Sequence, residues 1–377
     1  MLDSQRHLFD IPNEVVYLNT AYMSPLLNSV VKALDRGVRL KSKPWKIKID
    51  DFYDNIERSR DLFSNLMNTK SQNIAIVPSA SYGIQVAANN IKIDNNKKIL
   101  ILEDQFPSNV YPWQKVSKRK DIEILRIQQG TFSSLTEAIL SRLDERVQVA
   151  ALPNVLWTNG ALIDLIKVRQ RCDDVGCKLV LDLTQSAGAM LIDFEKVRPD
   201  FAVIANYKWM LGPYTTGFLF VSEEYFEGEA LEEGWITRKD SKDFSNLVNY
   251  TDQYEHGAIR FDMGERSNFA LMPGVIAALQ QIDSWKIKNI QEKLSHQNEL
   301  LGNKLSSMGL QLIDKQQRSP HFLGAVIPKG ARKDLVSRLA EKNIYLSERG
   351  GKVRITAHLW NEQKDFDKLV FELGKLL

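Results

Sequence analysis

Seven short apolar runs, most of them separated by helical patterns, constrain this chain more than any other feature. They lie at 74–78 (IAIVP), 98–102 (KILIL), 122–127 (IEILRI), 147–152 (VQVAAL), 178–183 (KLVLDL), 201–205 (FAVIA) and 217–221 (GFLFV). Each is short, rich in β-branched residues and mostly apolar, which predicts a sheet covered on both faces. Helical patterns fill the gaps, one through Ile84, Val86 and Ala88, another from Asp164 to Val175. The pattern predicts an α/β fold with a largely parallel seven-stranded sheet covered on both faces. The last run follows the sixth closely and is free to be antiparallel.

After Val221 the pattern changes. Residues 223–233 are acidic and read as a surface helix, and 271–297 reads as one long helix. The C-terminal part mixes helix with short strands at 324–328 and 352–356, which predicts a second, smaller α+β domain. No repeat, low-complexity stretch or Pro/Gly-rich linker separates the two, so the long helix marks the expected junction.

Composition removes several function classes. With 44% hydrophobic and 26% charged residues over 377 positions the chain is globular, not disordered or fibrous. Its 50 basic and 47 acidic residues nearly cancel, to +3, which argues against a nucleic-acid binder. The basic cluster at 115–120 reads as a solvated helix face. Cys172 and Cys177 are too few for a disulfide framework, and their spacing fits neither CxxC nor a zinc knuckle. They read as reduced thiols beside a buried strand. The polar N-terminus lacks a signal-peptide core and no apolar run reaches 18 residues, so a soluble cytoplasmic protein with no membrane association is expected. His7, His256, His296, His321 and His358 form no metal-ligand spacing, so no metal is expected. GxGxxG before a helix, GxxxxGK[ST] and GxSxG are all missing.

The chemistry concentrates between Leu181 and Phe220. Asp182 ends the LVLDL strand, Gln185 follows in DLTQSAG, and Lys208 lies just past the next strand in ANYKWMLGP. Ligands of open α/β sheets bind outside the carboxyl ends of the strands, which puts Asp182 and Lys208 on one crevice. A lysine amine condenses with an aldehyde, and a carboxylate keeps a pyridine nitrogen protonated, so the pair suits pyridoxal phosphate (PLP). Gln185 is a donor for the ring hydroxyl. A capping Asp182 and a surface Lys208 fit the spacing equally well. Three further features favour a site. Small residues at 79–83 (SASYG) open a helix whose N–H groups suit a phosphate, or simply carry a serine N-cap. Phe106 follows a strand at the same sheet edge and is either a ring-stacking aromatic or core. Arg354 in KVRIT is either a carboxylate clamp or a surface ion-pair partner.

Together these stretches resemble the class V aminotransferase family of fold-type I PLP enzymes, whose relatives include cysteine desulfurases, kynureninases and isopenicillin N epimerase-like proteins. The resemblance runs from YLNTAYMSP (17–25) to VRITAHLWN (353–361), and DxxQ, YKWMLGP and GFLFV are its most specific parts. It implies an N-terminal arm (1–16) packing on the small domain, a large PLP-binding domain (17–262), a small C-terminal domain (263–377), and a homodimer with a shared active site. By resemblance, Lys208 is the Schiff-base lysine, Asp182 the pyridinium partner and Gln185 the ring-hydroxyl partner. Ala80 and Ser81 match the phosphate-binding pair, and Phe106 matches the ring-stacking aromatic. Tyr207 takes a phosphate-contacting position. Arg354 matches the residue that holds the substrate carboxylate, with Tyr22 beside the substrate.

The departures narrow the activity. Desulfurases of this family carry a catalytic cysteine shortly before the matching arginine; here that stretch is IYLSERGGKVR. Ala205 stands where many relatives have a serine. Glu265, in GERSN, replaces a threonine that reaches the neighbouring subunit's phosphate, leaving Ser267 or Asn268 as substitutes. Trp157 and Tyr214 fall near the crevice. The resulting expectation is an aminotransferase acting on an amino acid or related amine. The alternatives are an epimerase or racemase using Tyr22 or Tyr214 as second acid, a PLP-dependent β-lyase, or a PLP-fold protein without catalysis. A cysteine-dependent desulfurase is not expected.

Overall fold

The computed structural model describes residues 2–377 apart from Lys329, Ala331 and Lys333. The seven apolar runs form one sheet. Across it the strands are Ile74–Val77, Gly217–Val221, Phe201–Ala205, Lys178–Asp182, Val147–Pro153, Lys98–Leu102 and Glu123–Ile127. Only Gly217–Val221 runs against its neighbours, being antiparallel to both Ile74–Val77 and Phe201–Ala205. The 206–216 link that precedes it holds no crossover helix, so reversal is the only direction open to it.

Alternation along each strand divides the core in two. Ile76, Leu100, Leu102, Leu181 and Ile204 belong to one apolar cluster, while Val77, Ile99, Ile101, Val180 and Val203 belong to another on the opposite face. Every residue of Phe201–Ala205 and Gly217–Val221 is buried, as central strands require. The edge strand Glu123–Ile127 alone is largely open. The other edge is covered: Asp262 accepts the Ile76 N–H at 2.7 Å, and the Met263 N–H donates to Ile76 at 2.8 Å.

A third cluster joins Val16 and Leu18 to Leu323, Ala325, Val353, Ile355 and Phe366. It packs on a four-stranded antiparallel sheet, in the order Ser347–Arg349, Lys352–Ile355, Leu323–Val326 and Gln311–Leu312. Gly350 and Gly351, at φ 56° and 71°, form the two-residue turn between the first two strands. Both positions need φ > 0 to match the strand twist, which only glycine supplies without strain. The N-terminal segment lies against this part of the chain. The Gln5 N–H donates to Leu359, Arg6 pairs with Asp365 at 3.3 Å, and Val16–Tyr17 runs parallel to Ile344–Tyr345.

Three expectations are corrected. The span 271–297 is two helices, Met272–Trp285 and Ile287–Ser307, with Lys286 at φ 64° between them. The break lets Trp285 and Ile287 both reach the core on either side of the exposed Lys286. The second helix then serves two clusters, through Ile290 and Leu294 on one and Leu301 and Leu305 on the other. The acidic 223–233 segment is helical only over the short turn Glu223–Tyr225. Beyond it the Asn90 side chain pins the backbone of Glu229 through both its N–H and its carbonyl, and Gly228 passes close against Asn90. The small-sheet strands begin or end a residue or two from their expected limits, at Leu323–Val326 and Lys352–Ile355. Among the described residues no helix is long and apolar enough to cross a membrane.

One buried ion cluster fastens the large sheet to the chain that follows it. Asp262 receives Arg60 at 3.0 Å, Arg266 and the Ile76 N–H, and all three side chains are buried. Removing the carboxylate strands two guanidinium groups in a dry interior, a penalty that typically reaches about 3–5 kcal/mol. Asp262→Ala should therefore lower the unfolding free energy by about that amount in urea titrations.

Candidate active site

The site sits where the C-terminal ends of the central strands meet the small antiparallel sheet. Lys178–Asp182 delivers Asp182 at its last position, and the chain then turns. The Thr184 N–H donates to Asp182 Oδ1 at 3.0 Å, while Thr184 Oγ1 accepts the Ala205 N–H at 3.1 Å. One residue thus orients the carboxylate and stitches the ends of two neighbouring strands. Lys208 follows Phe201–Ala205 on a loop held by Asn206, whose N–H donates to Thr216 and whose carbonyl accepts from Gly212. Asp182 and Lys208 are both buried and line one cavity of about 380 Å³.

Burial works on these two charges in opposite directions. It raises the Asp182 carboxyl above its ordinary range, against the Thr184 hydrogen bonds and the nearby Lys208. The same desolvation pushes the Lys208 amine down to about 8; Asp182 resists this, while Arg354 and Arg349 add to it. An amine in that range is roughly a tenth neutral at pH 7, far more than an ordinary lysine.

The helix Ala80–Asn90 opens onto the same cavity through Ser79, Ala80 and Ser81. Ser79 is its N-cap, accepting the Tyr82 N–H at 3.3 Å. A helix leaves its first N–H groups without internal partners and concentrates positive potential there. Gly83 brings the helix onto the sheet, since a β-carbon there would collide with Val203. Phe106 lies with its ring centroid 5.2 Å from Lys208 Nζ, and meets Trp157 edge-on at 5.2 Å. Tyr207 packs on Tyr214 at 4.6 Å. The Gln185 amide is oriented by two partners: its Nε2 donates to Ala21 and its Oε1 accepts from Trp209 Nε1, both at 3.0 Å.

A smaller adjoining cavity of about 210 Å³ shares Phe106, Trp157, Tyr207, Lys208 and Tyr214 with the first, and adds Tyr22, Arg349 and Arg354. Arg354 is buried. Ser347 Oγ accepts from its Nε at 3.0 Å and its Nη2 at 2.8 Å, and the Trp157 carbonyl accepts from its Nη1 at 3.1 Å. It has no carboxylate partner among the described residues, and burial, reinforced by Arg349, pushes it down to about 10.

All nine residues singled out from the sequence therefore line these two spaces. Ala80, Ser81, Phe106, Asp182, Gln185, Tyr207 and Lys208 surround the larger; Tyr22 and Arg354 belong to the smaller. Ser267 and Asn268 are engaged within their own chain. The Ser267 hydroxyl donates to Phe52, and Asn268 Oδ1 accepts the Ala270 and Leu271 N–H groups. Sequence reasoning missed Thr184, Trp209, Ser347 and Arg349. Of these, Ser347 and Arg349 were within reach, because the Gly350–Gly351 pair marks a tight hairpin that fixes which residues oppose Arg354.

Comparison with known proteins identifies the family. The model of the family described as aminotransferase class-V matches residues 24–366. The chain belongs to the class-V aminotransferase family. A probable cysteine desulfurase of Methanothermobacter thermautotrophicus is 23% identical over 83% of this chain and 82% of its own length. An uncharacterized aminotransferase of Bacillus subtilis, YcbU, is 22% identical over 99% of this chain and 97% of its own length. Among solved structures, a C-DES mutant with glycine covalently linked to its PLP cofactor superposes with a TM-score of 0.89, at 17% identity over 99% of this chain and 100% of that one. The enzyme is accordingly PLP-dependent and has the fold-type I architecture. The donor set present fits that cofactor. A partly neutral buried amine meets an aldehyde, a buried carboxylate meets a ring nitrogen, and a helix N-terminus at the cavity edge meets a phosphate.

The depressed Lys208 has a consequence for stability. Between its folded value of about 8 and its ordinary value of about 10.4, the unfolded chain binds more protons than the folded one. Stability contributed by this group therefore rises with pH through that window and is lowest below it. Lys208→Met should stabilise the cofactor-free protein at pH 7 by an amount on the order of a few kcal/mol. Parallel urea titrations should show that advantage shrinking between about pH 8 and about pH 10.4.

Proposed function

We propose that this enzyme is an aminotransferase that takes the amino group of an amino acid, with Lys208 as the residue that binds the cofactor covalently and moves the substrate's α-proton. The observation that carries the reading is the convergence of Lys208, Asp182 and Arg354 on joined cavities that contain no thiol. PLP, when bound, supplies an aldehyde that condenses with amines and a ring that accepts electrons from the α-carbon.

The chain's own groups do the rest. The Asp182 carboxylate holds a proton on the ring nitrogen. Gln185 has its Oε1 and one Nε2 hydrogen committed, which leaves the other hydrogen for the ring hydroxyl. The N–H groups of Ala80 and Ser81 and the side chain of Tyr207 would hold the phosphate, and Phe106 would stack on the ring. Arg354 keeps one N–H on each terminal nitrogen after bonding Ser347 and Trp157, a fork that matches the substrate α-carboxylate. Tyr22, at 52% exposure, stands at the substrate's entrance. Lys208 would be the base for the α-proton; burial lowers its amine toward the neutral form that can accept one.

A desulfurase working through a cysteine lacks its nucleophile here. Cys172 and Cys177 are buried and line a different pocket, with Arg169 and Asp200. A β-lyase needs the same groups as the aminotransferase, and C-DES is described as a cystine C–S lyase in complex with its product cysteine persulfide. Epimerisation needs an acid facing Lys208 across the substrate, and Tyr22 and Tyr214 are both open to solvent at the mouth.

A homodimer belongs to the same proposal. Trp45 and Tyr250 are 78% and 96% exposed. Such exposure favours burial against a second copy. Light scattering of the active protein should give twice the chain mass.

Amino acids added one at a time to the PLP-loaded protein should bleach its visible band, and a keto acid should restore it. Release of ammonia with a keto acid from a single substrate would favour the lyase, and solvent deuterium at the α-carbon without bleaching would favour the epimerase. Lys208→Ala should retain no PLP adduct after borohydride reduction; an adduct in that variant would remove Lys208 from its role.

A further inference from the structure

We propose that Arg349 is a second anion-binding residue of this site, and that the amino substrate carries a carboxylate on its side chain as well as on its α-carbon. The inference rests on the reading of Arg354 as the α-carboxylate clamp.

The hairpin sets the geometry. Gly350 and Gly351 close a two-residue turn that pairs Ser347 with Arg354 and Arg349 with Lys352. Side chains alternate along a strand, so Ser347 and Arg349 lie on the same face as Arg354, and Arg349 is its diagonal neighbour across the pair. Both guanidinium groups line the smaller cavity. Glu348, between them in sequence, alternates to the other face and is exposed.

Arg349 stands out by its place in the site, not by its lack of an ion pair, which half-buried Arg171 and Arg318 share among the described residues. Arg60, Arg169, Arg260 and Arg266 each meet a carboxylate. Half-buried Arg349 forms no ion pair among the described residues; its one side-chain hydrogen bond goes to the carbonyl of Glu348 at 2.6 Å. Among the described lining residues of the two cavities Asp182 is the one carboxylate, and it lines the larger one. Arg349 and Arg354 thus share the smaller cavity without a carboxylate among its described lining residues, Lys208 beside them has only Asp182 to offset it, and both Arg354 and Lys208 feel Arg349 as a repelling charge. Like charges held together on one hairpin face are unfavourable unless a ligand of opposite charge bridges them. Trp157, Tyr214 and Arg349 line the same small cavity as Arg354, so a substrate held at Arg354 by its α-carboxylate would have Arg349 within the space its side chain occupies. A short acidic side chain answers that arrangement. A neutral one leaves the repulsion in place.

The test needs no turnover. The PLP-loaded protein is titrated calorimetrically, at fixed ionic strength, with succinate, glutarate and adipate and with the monoamide of each. At least one diacid should bind about tenfold or more tightly than its monoamide, as a charge-assisted pair implies. Arg349→Ala should erase that preference while leaving monoamide binding intact, which also shows that the site remains folded. Arg349→Lys should keep part of it, and Arg354→Ala should weaken diacid and monoamide together. Equal binding of diacid and monoamide in the unmodified protein would overturn the proposal, as would a preference that survives Arg349→Ala. The outcome is separable from the aminotransferase reading: diacid preference without band bleaching by any amino acid keeps Arg349 and sinks transamination, and bleaching by neutral amino acids alone does the reverse.

Discussion

A buried lysine and a buried carboxylate that line one cavity, without bonding each other, set the terms for everything around them. Desolvation disfavours both charges, so Lys208 shifts toward neutrality and Asp182 toward protonation. Both shifts depend on burial, which the surrounding architecture provides. The central strands, covered on both faces, bring the two residues to adjacent ends. Thr184 ties those ends together, and the loop after Phe201–Ala205 is locked by Asn206 and Thr216.

The polar groups near the cavity follow the same logic. Each is oriented by partners that leave a defined residue of hydrogen-bonding capacity pointing inward. Gln185 is fixed by Ala21 and Trp209, and Arg354 by Ser347 and Trp157. Behind Gln185 the His321 Nε2 lies 2.6 Å from the Gln185 carbonyl, and burial keeps that imidazole neutral, down to about 4. The site is therefore braced by a layer of buried groups that do no chemistry themselves. Free energy spent ordering them at folding is not spent again when a ligand binds.

How far the site was readable in advance differs by residue. Asp182, Gln185, Lys208 and the SASYG turn announce themselves because each lies within a few residues of a strand end, and strand ends are visible as apolar runs. Thr184 and Trp209 sit between or beside those residues and still escaped, because their role lies in a hydrogen bond to a group distant in the fold or in the backbone. Arg349 is the sharper case. Its neighbours Gly350 and Gly351 advertise a hairpin, yet only the pairing of Ser347 with Arg354 shows that two cations share a face.

The sequence by itself determined the sheet, its mainly parallel direction, the cavity at the strand ends and the absence of a thiol there. Those properties depend on short-range periodicity and on which residue types occur at all. Tertiary structure alone decided the break at Lys286, the unwinding of the acidic 223–233 segment and the joining of the small sheet's arginines to the Lys208 cavity. In each case the deciding contact is long-range: Trp285 and Ile287 both seeking the core, Asn90 capturing Glu229, Ser347 and Trp157 holding Arg354. Local propensity is worth a few tenths of a kcal/mol per residue, and a buried aromatic or a satisfied buried polar group outweighs it.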